Sequence, residues 1–119
     1  MAAHAPERKL MQLCFEGGAL WAPAQSLAPG TRLRVRIPAR EVALARKPPE
    51  ATSLHNALAA TVTEVGPGNE AGVVLVGLVV GGVRLLAQVT EDAVRALAVR
   101  PGASLYALVK SVSILRPGA

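Results

Sequence analysis

The 119-residue sequence predicts an all-β fold built from small β-barrels and carrying one short helix. Three observations lead to that class. Short β-branched or alternating apolar runs recur along the chain, separated by Gly-Gly, Pro-Gly and Pro-Pro pairs that end strands and start turns. Only "TEDAVRALAV" (90–99) has the spacing of a helix. The chain also echoes itself. "FEGGALWA" (15–22) resembles "VVGGVRLLA" (79–87), and "APGTRLRVRI" (28–37) resembles "RPGASLYALV" (100–109).

Taken in order, the strand signals are "LMQLCF" (10–15), "ALWA" (19–22), "RLRVRI" (32–37), "AATVTEV" (59–65), "GVVLVGLVV" (72–80), "VRLLAQV" (83–89) and "LYALVKSVSIL" (105–115). In "RLRVRI" the arginines alternate with Leu33, Val35 and Ile37, which predicts one charged and one dry face. In the helix, Thr90 is placed to cap the N-terminus and Glu91 and Asp92 to occupy the dipole-favoured first turn. Ala93, Val94, Leu97 and Ala98 form its apolar stripe. The last run carries a lysine in its middle. Read as one strand, it sets Lys110 on a face with Tyr106, Leu108, Val112 and Ile114. Such a lysine either snorkels to water near a sheet edge or meets an anion.

The Gly-Gly pairs lie 64 residues apart (17 to 81) and the Pro-Gly pairs 72 (29 to 101). The difference, eight residues, is about the length of the helix, for which the first copy shows no counterpart. This predicts a partial barrel over 1–52 and a full one over 53–116, with "RKPPEATS" (46–53) as the joint, since two prolines cannot continue a ladder.

The composition is 51% hydrophobic but only 3% aromatic, so the core must be aliphatic. Cys14, between Leu13 and Phe15, is expected to be a buried small hydrophobe, and His4 to lie in a loose tail. One cysteine provides neither a disulfide nor a Cys-rich metal site. "GVVLVGLVVGGV" (72–83) is too short and glycine-rich to span a bilayer, and "MAAHAPERKL" has no signal-peptide core. The expectation is a soluble cytoplasmic chain. No enzyme activity is expected of it by itself: there is no phosphate loop and no His-Glu-x-x-His. Two histidines and a single aspartate leave no plausible Ser-His-Asp set.

A net charge of +5 favours anionic partners, and Arg32, Arg34, Arg36, Arg40, Arg46 and Lys47 hold six of the thirteen positive charges. They form either a solvated face or a phosphate-tracking groove. Single-strand binders on small barrels stack bases on aromatic side chains, which this chain nearly lacks, so nucleic acid is not the expected partner. "TSLHN" (52–56) gathers hydroxyls, an imidazole and an amide within five residues. It reads as an ordinary turn, or, with "VKS" (109–111), as a donor set for a tetrahedral oxyanion.

"SLHNALAATVTEV" (53–65) and "LLAQVTEDAVRALAVRPGASLYALVKSVSI" (85–114) resemble a Mop, or TOBE, domain, the molybdate-binding unit of storage proteins, regulators and molybdate-transporter ATPases. The family opens the unit with Ser-x-Arg-Asn and closes it with Lys-Ser or Lys-Ala in an apolar strand. "LCFEGGALWAP" and "GTRLRVRIPAREVALARKPPEATSLHN" are similar to the C-terminal regulatory half of the ATPase subunit of a molybdate importer.

The resemblance implies an OB-like barrel with one short helix, preceded by a partial second barrel of related design. It implies molybdate or tungstate as ligand and no cofactor or metal. The sites lie at interfaces of a homodimer or higher homo-oligomer, and a nucleotide-binding domain and a membrane permease are partners in the full-length parent. Carried over by motif, the oxyanion-binding residues are Ser53, His55, Asn56, Thr90, Lys110 and Ser111. His55 departs from the family's arginine, replacing a permanent cation with a titrating one. A basic nucleic-acid module and a dimerisation domain with a decayed anion site are the alternatives.

Overall fold

The computed structural model describes residues 2–5, 10–23, 25, 28–48, 56–110 and 112–115. Strands β1 (Ala2–Ala5), β2 (Leu10–Phe15) and β3 (Gly18–Pro23) form an antiparallel three-stranded sheet in that order. Strand β4 (Arg34–Arg36) is followed by a 3-10 turn (Ala39–Glu41) and β5 (Val42–Ala45). Then come β6 (Asn56–Pro67), β7 (Val73–Val80), β8 (Val83–Thr90), helix α1 (Glu91–Ala96), β9 (Ser104–Val109) and β10 (Ser113–Leu115).

A five-stranded antiparallel sheet runs β5-β9-β6-β7-β8 and curls until its edge strands, β5 and β8, lie against each other. A register shift between Val62 and Glu64 on β6 adds to the bend. The result is the expected OB-like barrel with one short helix.

Alternation along the strands fills it. Ala60 and Val62 of β6, Ala87 of β8, and Leu105, Ala107 and Val109 of β9 point inward, with Val76 and Leu78 of the central β7 and Val42 of β5. Met11, Leu13, Leu20 and Ala22 of the first sheet belong to the same cluster, so one aliphatic core runs through both halves. Each fully buried Val or Leu contributes roughly 1.5–3 kcal/mol. Phe15, Trp21 and Tyr106 are only half-buried, so the fully buried core is aliphatic.

The internal echo is geometric as well as textual. Ala28-Pro29-Gly30-Thr31 closes with Thr31 N–H donating to Ala28 O at 3.2 Å, and Arg100-Pro101-Gly102-Ala103 closes the same way at 3.0 Å. Their glycines have nearly identical φ values, 89° and 90°. The two Gly-Gly turns meet tip to tip: a Cβ on Gly17 would lie 2.6 Å from Gly81 Cα, and Gly82 N–H donates to Glu16 O at 2.9 Å. The strands that follow the Pro-Gly turns are exchanged. β5, which follows β4, pairs with β9, while β10, which follows β9, pairs with β4.

Several expectations are corrected. His4 is in β1, opposite Met11, rather than in a loose tail. Cys14 is exposed, because its neighbours in β2 point to the opposite face and Met11 and Leu13 take the core side. Val35 is 40% exposed, so β4 has no continuous dry face, although Leu33 and Ile37 are half-buried. The last apolar run is two strands, β9 and β10, with Lys110 in the break.

Helix α1 starts as expected, with Ala93 N–H donating to Thr90 Oγ1 at 3.1 Å. It ends at Ala96, three residues short of the expected 99. Ala98 has φ 53°, and Ala98 N–H to Arg95 O and Val99 N–H to Val94 O close a left-handed C-terminal cap. Ala98 is therefore exposed and outside the apolar stripe. Of the proline joint, Arg46, Lys47 and Pro48 are exposed, and 49–53 lie outside the described residues.

Candidate functional site

Ser53, His55 and Ser111 lie outside the described residues; Asn56, Thr90 and Lys110 are within them. Asn56 opens β6 and is the one buried polar side chain among the described residues, 6% exposed. Its amide is held by the main chain of Trp21 in β3: Trp21 N–H donates to Oδ1 at 2.7 Å, and Nδ2 donates to Trp21 O at 2.9 Å. These bonds fix which way the amide faces, and they use one of the two Nδ2 hydrogens.

Lys110 follows directly on the last rung of the barrel ladder. Val109 pairs with Asn56 on one side and Val42 on the other. Lys110 N–H donates to Glu41 O at 2.9 Å, and its side chain is exposed. Asn56 and Lys110 thus lie at the same end of the sheet, the first opening β6 and the second directly following β9.

Thr90 is elsewhere. It ends β8 opposite Val73, one rung beyond the Pro67↔Val74 pair, whereas Asn56 opens β6 at its other end. The two ends of β6 are separated by roughly 35 Å of strand contour. Thr90 Oγ1 accepts from Ala93 N–H, leaving its hydroxyl hydrogen to donate. A single chain brings Asn56 and Lys110 together and does not bring Thr90 to them.

Arg32, Arg34, Arg36, Arg40, Arg46 and Lys47 are all exposed. A separate cleft of about 920 Å³ opens between the halves, with Phe15, Leu20, Ile37 and Leu58 among its apolar walls and Arg36 and Arg84 on its lining. Among the described residues no three His, Cys, Asp or Glu side chains gather as a metal site, and no helix is long and apolar enough to cross a membrane.

A sequence model of the TOBE domain matches residues 52–115. The chain belongs to the TOBE domain family. This TOBE domain is 42% identical over 120 residues to "Molybdenum import ATP-binding protein ModC" of Granulibacter bethesdensis, covering 96% of the chain and 33% of that protein. It is 40% identical to the protein of the same name from Thiobacillus denitrificans, covering 97% and 32%. With "ModC 1" of Azotobacter vinelandii it shares 38% identity over the same fractions. The chain spans about a third of the length of these curated relatives.

Among solved structures it is similar to the cytoplasmic molybdate-binding protein ModG in a molybdate-bound crystal form. The TM-score is 0.80 at 28% identity, over 91% of this chain and 84% of that one.

Two partners of the candidate site in this TOBE domain were not visible in the sequence. Trp21 and Glu41 act through main-chain atoms, which leave no residue-type signature, and Trp21 lies 35 residues from Asn56.

Proposed function

We propose that this TOBE domain is the oxyanion-sensing regulatory part of a molybdate importer's ATP-binding subunit. It takes up molybdate or tungstate on the cytoplasmic side and performs no catalysis itself. The observation that carries this reading is the match along most of both chains to a molybdate-bound protein. The relatives named for molybdenum import support it, and the nucleic-acid alternative gains nothing from them.

The chemistry of the site fits a tetrahedral dianion. Lys110 supplies a permanent positive charge at the end of the barrel where Asn56 opens β6. Ser53, His55 and Ser111 are the further donors in this reading, with His55 adding a charge only when protonated. Thr90 sits at the far end of β6 in its own chain, so it serves a site shared with a second copy. The anion then bridges two copies and favours one arrangement of the importer. Ligand shifts that equilibrium only by its preference for the bridged state, and about 2.8 kcal/mol of preference changes the ratio of states ~100-fold. In this proposal residues 53–116 form the anion-binding barrel, with β5 of the first half completing its sheet. Residues 1–52 form the partial barrel between it and the ATP-binding and permease partners.

Titration calorimetry with molybdate, tungstate and sulfate tests the reading. Saturable heat with the first two and none with sulfate at equal concentration supports it. No heat with molybdate up to about millimolar, the weak end of specific binding, removes it.

A further inference from the structure

The geometry points to Asn56 as a positioning residue that couples anion occupancy at the barrel end to the β2–β3 hairpin of the first half; this rests on the oxyanion reading above. β3 and β6 belong to different sheets, so no ladder joins them. The Asn56 amide replaces that ladder with a two-bond rung to Trp21, at 2.7 and 2.9 Å. A second tie runs from the same end of the barrel, where Lys110 N–H donates to Glu41 O at 2.9 Å. The hairpin's tip is held separately, by Gly82 N–H on Glu16 O. The hairpin is thus packed into the common core and tied to the barrel at two further points, its turn and Trp21, the second through a side chain of the candidate site.

The coupling is chemical rather than mechanical. An amide whose second Nδ2–H is accepted by an anion is polarised, and its oxygen becomes a stronger acceptor. Anion binding thus tightens Trp21 N–H···Oδ1, and the first half of the chain registers occupancy without touching the ligand. The rung is part-buried, with Asn56 itself 6% exposed, so competition from water is reduced.

Hydrogen exchange at the Trp21 amide, read by NMR on the whole chain, tests the tie at Trp21. With molybdate at a concentration that calorimetry shows to be saturating, Trp21 exchange is expected to slow by up to about twofold relative to sulfate. Saturated binding with unchanged Trp21 exchange overturns the coupling and leaves the oxyanion reading standing, whereas no heat at all overturns both. Without ligand, Asn56→Ala removes the acceptor and should speed Trp21 exchange by about tenfold, the value of one hydrogen bond. An unchanged rate also overturns the tie. If that variant does not fold, the comparison of molybdate with sulfate on the unaltered chain still decides.

Discussion

Replacing Gly17 by alanine probes the contact between the two halves at its tightest point. Gly17 has φ 87°, and an added Cβ would stand 2.6 Å from Gly81 Cα and 3.1 Å from Gly82 N. Both neighbours are backbone, so no flexible side chain can give way. Two costs add. Placing a Cβ at positive φ costs roughly 1–2 kcal/mol. Forcing two turns apart in a packed region costs roughly 1–3 kcal/mol more. The molecule contains its own control: Gly30 has φ 89° with nothing within 4 Å of an added Cβ, so Gly30→Ala carries the first cost alone.

Urea unfolding of the two variants, compared at equal slope, isolates the contact as their difference, which should be about 1–3 kcal/mol. Gly17→Ala equal to Gly30→Ala in midpoint would refute tip-to-tip packing of the Gly-Gly turns and with it the tie between the hairpin's turn and the barrel.

Three further outcomes follow from the caps and the candidate site. Ala98→Gly should stabilise the domain by about 1 kcal/mol, because Ala98 occupies a left-handed cap at φ 53°; thermal unfolding no higher than that of the unaltered chain would contradict this. Thr90→Ala should lower stability by about 1 kcal/mol through loss of the bond from Ala93 N–H, while Thr90→Ser retains most of it in the same unfolding assay. Molybdate affinity should rise as pH falls from about 8 to about 6, since the His55 imidazolium favours the anion and the neutral ring does not. His55→Arg should flatten that dependence in calorimetry at several pH values.

The strands and turns were legible where residue pattern alone dictates them. The alternation of "VRLLAQV" and "AATVTEV" placed β8 and β6, and the Pro-Gly pairs marked turns whose glycines adopt positive φ at matching values. Thr90 announced its cap because a hydroxyl before two acids has few other uses. β5 left no such mark. Val42–Ala45 is four small or apolar residues whose partner, β9, lies some sixty positions further on, so its pairing is a tertiary event.

The same holds for the break at Lys110. The apolar run continues through it, but its amide is taken by Glu41 O and the ladder stops. Of the candidate site, the residue types were legible and the separation of Thr90 was not. Register along β6, not spacing in the chain, decides which donors share an end of the barrel. The alternating arginines misled about Val35, because β4 is a short strand that, among the described residues, pairs with β10 alone and offers the core no full face.

The central claim is that Lys110 anchors an oxyanion at the end of the barrel. Molybdate titration of the unaltered chain beside Lys110→Ala tests it most directly, with circular dichroism to establish that both are folded. The substitution removes an exposed ammonium whose main-chain bond to Glu41 O is independent of the side chain, so the fold should be unchanged. The account expects saturable heat from the unaltered chain and none from Lys110→Ala. Equal affinity in the two would contradict it and make Lys110 a lysine that merely reaches water from the end of a strand.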